Sequence, residues 1–137
     1  MFPNKTRILV IDDMAAMRLR VINQLKSIGF VNIDQAENGQ EGFDLLEKRR
    51  NEKDEVNLVI SDLNMPIMTG IELLEKVRTS AIYSKLPYVM ITAEGEKEQV
   101  IRALKLGVSD YLVKPVEKSL LVQKLAALWT KQPKGKE

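Results

Sequence analysis

Short apolar runs alternate along the chain with longer stretches in which apolar residues recur every three or four positions. A short apolar run between polar residues predicts a buried strand, whereas the three- and four-residue spacing predicts an amphipathic helix. The predicted strands are residues 7–11, 33–37, 58–60, 88–92 and 111–113. A helical pattern follows each strand, and the first, third and fourth of these helices are expected to end at Gly29, near Arg78 or Thr79, and at Gly107.

Five strands that alternate with five helices are typical of parallel βαβ units with right-handed crossovers. The fold class predicted from this order is α/β, a doubly wound five-stranded parallel sheet with helices on both faces. The strongly charged segment 48–57 is interpreted as a helix end and a solvated loop, and no function is assigned to it. In the last helix, Trp129 shares the helical spacing of Val122 and Leu125, which predicts that it closes the core.

The amino-acid composition excludes several kinds of catalytic and metal site, but it says less about the fold. Hydrophobic residues make up 45% and charged residues 29% of 137 residues, the balance of one folded globular domain. The chain has no Cys and no His, which excludes thiol catalysis, imidazole metal sites and Ser-His triads. The same absence excludes a histidine phosphodonor within the chain.

Charge and hydropathy also limit the location and the partners. A net charge of +2 is too small to indicate a nucleic-acid surface, and the predicted partners include no nucleic acid. Neither a signal-peptide core nor an apolar run of membrane-spanning length is evident, so we expect a cytoplasmic protein with no membrane span. The basic segment 131–137 is interpreted as a flexible, solvated tail.

Four of the five predicted strands end in side chains that can carry chemistry. Asp12 and Asp13 follow the first strand, Asp62 the third, Thr92 ends the fourth, and Lys114 follows the fifth. The carboxyl ends of parallel strands share one edge of the sheet, where open α/β sheets bind their ligands. We therefore expect these side chains to form one site.

Three clustered carboxylates repel one another unless a cation compensates them, and oxygen ligands of this kind select Mg²⁺ or a similar ion. One or two carboxylates and a backbone carbonyl beyond Asp62 would suffice for such a site. A metal ion flanked by the Thr92 hydroxyl and the Lys114 ammonium is suited to a phosphoryl group. No Gly-rich phosphate loop is present, and Asp62 is the group best placed to act as the nucleophile.

In order and spacing, these motifs resemble those of response-regulator receiver domains, and among these the single-domain chemotaxis regulators. The matching positions are Asp12, Asp13, residues 62–66, Met68, Gly70, residues 92–94, Tyr111, Lys114 and Pro115. The similarity covers about residues 7–128 and implies a flavodoxin-like strand order of 2-1-3-4-5. The domain boundaries expected from it are an N-terminal extension 1–6, a receiver domain 7–130 and the tail 131–137.

The resemblance also implies roles for the residues at the metal site. Asp62 would accept a phosphoryl group from a histidine kinase, and the side chains of Asp13 and Asp62 with the carbonyl of Asn64 would bind Mg²⁺. Asp12 would assist through a water molecule. Asn64 and Glu94 stand at positions that set the rate of autodephosphorylation in this family. No catalysis beyond self-phosphorylation and slow autodephosphorylation is expected.

A second group of residues would hold and report the phosphoryl group. By resemblance, Thr92 and Lys114 would contact its oxygens, and the peptide between Lys114 and Pro115 would be cis. Tyr111 would swing inward as Thr92 moves toward the phosphate, altering the face of helix four, strand five and helix five. An effector protein would bind that face, and the flagellar motor switch is one candidate.

The chain departs from the family pattern at a few positions, and two other interpretations remain open. Ala15 and Ala16 stand where Ser or Thr is common, and Val116 stands where Phe commonly follows Lys-Pro. One alternative is a receiver domain from a longer regulator with an output domain beyond residue 137. The other is a Mg²⁺-dependent phosphohydrolase that forms an aspartyl phosphate, although the usual Asp-x-Asp motif is missing around Asp13 and Asp62.

Overall fold

Every predicted strand is followed by a helix in the computed structural model, which describes residues 1–133. The elements are β1 Arg7–Ile11, α1 Ala15–Ser27, β2 Asn32–Ala36, α2 Gly39–Asn51, β3 Leu58–Asp62, α3 Gly70–Thr79, β4 Tyr88–Thr92, α4 Lys97–Lys105, β5 Asp110–Val113 and α5 Lys118–Thr130. All strand pairs are parallel, and the strand order is β2-β1-β3-β4-β5. The predicted fold class and strand order are confirmed.

The sheet separates two apolar cores, because successive side chains of a strand point to opposite faces. In β1, Ile8 and Val10 pack against α1 and α5, whereas Leu9 and Ile11 pack against α2 and α3. Every residue of β3 and β4 is buried, as expected for central strands covered on both faces. Because helices cover both faces of these central strands, polar groups can reach the surface at the strand ends.

Local sequence signals account for the helix boundaries. Gly29 ends α1 with a φ of +110°, a conformation that favours glycine, and α3 and α4 end at or just before the predicted residues. At the start of α3, the Thr69 hydroxyl accepts the Glu72 N–H at 3.1 Å, and the Glu72 carboxylate accepts the Thr69 N–H at 2.9 Å. This capping box fixes where the helix begins after the loop that follows β3.

Three apolar residues that occur at helical spacing in the sequence are exposed instead of buried. Met14 precedes α1 and is 56% exposed, and its N–H donates to the Asp12 carboxylate. Ile101 and Leu104 of α4 are each 52% exposed, and Ala103 is the residue that this helix buries. The spacing identified an apolar stripe on α4 correctly, but the sheet covers only one side of it.

The charged segment 48–57 is only partly a solvated loop. Helix α2 continues to Asn51, and Arg49 on its last turn forms an ion pair of 2.7 Å with Asp34 of β2. Beyond the helix, Asp54 forms an ion pair of 2.6 Å with Arg7 of β1. These contacts fasten α2 to the edge of the sheet, so part of the charge has a structural role.

The two ends of the described chain meet beneath the sheet. Phe2 is buried, and its ring lies 5.0 Å from that of Trp129, centroid to centroid. Trp129 packs against the core shared with α1 and α5, as its spacing predicted. Within residues 1–133, none of the helices combines the length and the apolar character needed to span a membrane. Most of the predicted tail 131–137 lies outside the described residues.

Candidate functional site

The three acidic residues predicted from the strand ends lie together. Asp12 and Asp62 follow directly on buried positions of the neighbouring strands β1 and β3, and they are 2% and 4% exposed. Asp13, one residue farther along, is exposed. One carboxylate oxygen from each of the three lies within 4.8 Å of the others. The prediction that these carboxylates converge is therefore confirmed.

A lysine provides a positive charge at the same edge of the sheet. The Nζ atom of Lys114, which follows β5, lies 3.1 Å from Asp62 Oδ1 and 3.9 Å from Asp12 Oδ2. Thr92 ends β4, the strand between β3 and β5, and its carbonyl accepts the Lys114 N–H at 2.8 Å. The peptide between Lys114 and Pro115 is cis, as the resemblance implied. In the sheet, Thr92 thus lies between the strand that carries Asp62 and the strand that precedes Lys114, and it is 1% exposed.

The site carries more negative than positive charge. Burial raises the pKa of the Asp62 carboxyl and the nearby Asp12 raises it further, while the Lys114 ammonium acts in the opposite direction. Burial also raises the pKa of Asp12, and its hydrogen bond from the Met14 N–H and the Lys114 charge oppose this. Three carboxylates and one ammonium leave an uncompensated negative charge when all are ionised. A divalent cation would compensate it.

The donor set fits Mg²⁺. All the available ligand atoms are carboxylate or carbonyl oxygens, and no imidazole or thiolate exists in the chain to favour a softer metal. The buried Asp12 and the exposed Asp13 place oxygens at two depths around Asp62. The residues present are thus positioned to hold such an ion.

The loop after β3 is shaped by a close approach at Gly70. Its N–H donates to the Leu63 carbonyl at 3.0 Å, and a Cβ built on Gly70 would lie 2.1 Å from the Asp62 carbonyl oxygen. The buried Tyr88 hydroxyl donates to the Gly70 carbonyl at 3.0 Å. Only glycine fits here, and the start of α3 is packed directly against the backbone of Asp62.

The loop after β4 contacts the loop after β3 through Glu96. The Asn64 side-chain amide donates to Glu96 Oε2 at 2.6 Å, and the Ala93 N–H donates to Glu96 Oε1 at 2.9 Å. Glu94, which the resemblance pairs with Asn64, is exposed and makes no side-chain hydrogen bond within residues 1–133. Sequence reasoning missed Glu96, because no motif marks a contact between residues that lie so far apart in the chain.

Comparison with known proteins agrees with this geometry. The family model described as the response regulator receiver domain matches residues 8–126. The chain belongs to this family.

Similar proteins include regulators with names from chemotaxis. A chemotaxis protein CheY homolog of Campylobacter jejuni is 43% identical over 119 residues, which cover 87% of this chain and 88% of that protein. Chemotaxis protein CheY1 of Helicobacter pylori is 40% identical over 119 residues, covering 87% and 93% of the two chains. The solved CheX-CheY-BeF3-Mg²⁺ complex from Borrelia burgdorferi contains a chain that is 26% identical, with a TM-score of 0.79 and coverage of 92% and 90%. Membership of the CheY-type receivers favours a signalling domain over a phosphohydrolase.

The aromatic position of the receiver domain lies on β5, away from the acids. Tyr111 is half-buried, and Lys124 of α5 donates to its carbonyl at 2.7 Å. The Lys124 ammonium also lies 5.0 Å from the centre of the Tyr111 ring and 2.9 Å from Asp110 Oδ1. These contacts connect β5 to α5 at the point where the resemblance predicts a conformational change.

An apolar surface is presented by β5 and by the helices before and after it. We call it the 4-5-5 face, after α4, β5 and α5. Its exposed apolar side chains are Ile101, Leu104, Val113 and Leu120. Exposed apolar side chains on neighbouring elements are typical of a surface that binds another protein.

The residues that depart from the family pattern lie outside the acid cluster. Val116 is completely buried, and its carbonyl accepts hydrogen bonds from Arg20 at 3.0 Å and from Gln24 at 2.9 Å. These bonds connect α1 to the loop that carries Lys114. Ala15 and Ala16 are exposed at the start of α1 and add no hydroxyl to the site.

Proposed function

We propose that this receiver domain accepts a phosphoryl group on Asp62 from a histidine kinase and then binds an effector protein through the 4-5-5 face. One observation carries the proposal: the Lys114 ammonium lies 3.1 Å from Asp62, beside the other two acids. A buried carboxylate next to a fixed ammonium combines a nucleophile with a cation for the incoming phosphate.

In this proposal the reacting atom of Asp62 is Oδ2, the oxygen with fewer contacts. Oδ1 accepts the Leu63 N–H at 2.9 Å and contacts Lys114, whereas Oδ2 receives no hydrogen bond from residues 1–133. A lone pair of Oδ2 would form the new O–P bond as the P–N bond to the donor imidazole breaks, and its electrons would return to the imidazole nitrogen. Lys114 and the Thr92 hydroxyl would hold the phosphoryl oxygens.

The same residues account for the proposed metal requirement. Asp13 and Asp62 with the Asn64 carbonyl would bind Mg²⁺, and Asp12 would assist through a water molecule. The ion would neutralise charge on the acids and on the phosphoryl oxygens. The Lys114 ammonium and a bound cation would both favour the ionised form of Asp62, so its attack would require no general base.

The signal would pass from Thr92 to Tyr111. Thr92 ends β4, and Tyr111 pairs with Met90 of the same strand. A shift of Thr92 toward the phosphoryl group would leave space that the half-buried Tyr111 ring can enter. Ile101 and Leu104 are exposed on the 4-5-5 face, and we expect this movement to change the surface offered to an effector.

The names of the similar proteins favour a chemotaxis pathway, with a cytoplasmic kinase and the flagellar motor switch as candidate partners. The domain boundaries of 1–6, 7–130 and 131–137 are part of the same proposal. An alternative in which the receiver belongs to a longer regulator shares the phosphorylation chemistry and differs only in the effector.

Phosphorylation is tested first, by incubating the protein with acetyl phosphate and Mg²⁺ and measuring its intact mass. We expect one added phosphoryl group on the wild type and on the Asp44→Asn control, which removes an exposed carboxylate from α2. Asp62→Asn should remain unmodified. Equal uptake by Asp62→Asn would disprove the assignment of the acceptor.

Effector binding is tested by pull-down with beryllofluoride-loaded and free protein. Proteins retained only by the loaded form should be lost from Leu104→Ser and kept by Val31→Ser, a control that removes an exposed apolar side chain beside β2 at the far edge of the sheet. Retention by Leu104→Ser at the wild-type level would exclude the 4-5-5 face as the binding surface.

A further inference from the structure

Glu96 connects the two loops that flank the acceptor. It is half-buried and immediately precedes α4, so that its backbone starts the helix while its carboxylate points back toward the sheet. Gly95, with a φ of +91° and open space around it, permits this reversal. One carboxylate thereby reaches donors on both loops, at 2.6 Å to Asn64 Nδ2 and 2.9 Å to Ala93 N.

The two donors to Glu96 lie close in the chain to Asp62 and Thr92. Asn64 lies two residues after Asp62, and Ala93 directly follows Thr92. Both donors therefore lie within two residues of a side chain that the proposed function places at the phosphoryl group. In the free protein, Glu96 supplies an anion to the donors that a phosphoryl group would otherwise bind.

We infer that Glu96 is an anionic latch, a positioning residue that holds the unphosphorylated site closed and must release Asn64 and Ala93 when Asp62 is phosphorylated. This inference rests on the proposed function of Asp62. A phosphoryl group brings nearly two negative charges beside a fixed carboxylate, and the two anions repel each other. Release of the latch would move Glu96, which immediately precedes α4, and hence the helix that presents Ile101 and Leu104.

The latch makes phosphorylation slower and the return to the free state more favourable. Glu96→Gln keeps the size and shape of the side chain but removes its charge. We expect this variant to be phosphorylated by acetyl phosphate about fivefold faster than the wild type, and to bind beryllofluoride with Mg²⁺ about fivefold more tightly. That factor is the size expected for removing one charge near a dianion across a partly solvated gap.

Glu98→Gln is the matched control, because Glu98 is an exposed carboxylate on the same helix with no side-chain hydrogen bond in the described part of the chain. It should behave as the wild type. Equal rates for Glu96→Gln and the wild type, a slower Glu96→Gln, or an equal gain in both variants would overturn the latch.

A second readout does not depend on phosphorylation. In the free protein without metal, the ¹⁵N and ¹H resonances of the Asn64 side-chain amide and the Ala93 amide should shift in Glu96→Gln and not in Glu98→Gln. Absence of that shift overturns the latch even if Asp62 is phosphorylated normally. If the wild type takes up no phosphate, the proposed function fails, and the resonances alone decide whether Glu96 holds the two loops.

Discussion

Replacement of Gly70 by Ala should disturb the acceptor through the backbone. The new Cβ would lie 2.1 Å from the Asp62 carbonyl oxygen, whereas real contacts of this kind do not fall below 3.0 Å. The loop and the start of α3 must therefore separate by about 0.9 Å. Because both atoms in conflict are fixed to the backbone, no change of side-chain conformation can relieve the contact.

The magnitude follows from this displacement. Overpacking of a well-packed site typically destabilises by roughly 1–3 kcal/mol, and we expect about 3 kcal/mol here because the neighbour is backbone. A protein of this size, with a total stability of about 5–15 kcal/mol, would remain folded. Displacement of a reacting group by ~1 Å lowers a rate by about 10²-fold, so phosphorylation by acetyl phosphate should fall by that order.

The assay compares urea unfolding and phosphorylation rates of Gly70→Ala with those of Gly42→Ala. Gly42 is also helical, but its added Cβ would meet the end of the Ile11 side chain at 2.5 Å, which can move. Gly42→Ala should lose only about 1 kcal/mol and keep a near-normal rate. Gly70→Ala with the stability and rate of Gly42→Ala would refute the reasoning.

Three further predictions concern stability. Burial raises the pKa of Asp34, but hydrogen bonds and charge from Arg49 and Arg7 outweigh this effect and lower the pKa below 3.8. The ion pairs therefore stabilise the folded protein fully at pH values above 3.8. Their contribution should be lost as the pH falls through the lowered pKa, and Arg49→Met should flatten this part of a pH series of urea unfolding measurements. The pKa values of Asp12 and Asp62 are raised, so their effect on stability has the opposite pH dependence. In metal-free protein, their contribution to the unfolding free energy is fully present below pH 3.8 and is lost as the pH rises through the raised pKa values. Mg²⁺ at ten times its Kd should add about 1.4 kcal/mol to the unfolding free energy at neutral pH, and less in acid, as calorimetry can check; a gain that does not depend on pH would contradict the assignment of these ligands. Tyr88→Phe removes the hydrogen bond that a buried hydroxyl donates to the Gly70 carbonyl. It should lower the unfolding free energy by about 1 kcal/mol in urea titrations, while an unchanged value would show that the hydroxyl is unimportant.

The strands and the acid cluster could be predicted from the sequence because both follow from local rules. Runs of β-branched residues that stop at polar groups placed β4 at its observed bounds and β1 at Arg7–Ile11. The meeting of Asp12, Asp13 and Asp62 followed from the parallel sheet alone, since strand ends of one direction share an edge. The strand order itself required the family resemblance.

The contacts that sequence reasoning missed depend on tertiary packing. Helical spacing identifies an apolar stripe but not what covers it, and it gives no sign that Leu104 is 52% exposed. The contact of Glu96 with Asn64 depends on two loops that meet only after β3 and β4 have paired. Phe2 becomes a core residue only because Trp129 at the other end of the chain lies beside it.

The contact between Phe2 and Trp129 bears on how receiver modules are exchanged between proteins. The family match covers residues 8–126, a span that contains neither ring. A chimera cut at those positions would expose the underside of the core formed by α1 and α5, although every residue of the acid cluster would be retained. Grafts that keep residues 2–129 should fold more reliably, because the physical limits of this module extend beyond the limits of its sequence signature.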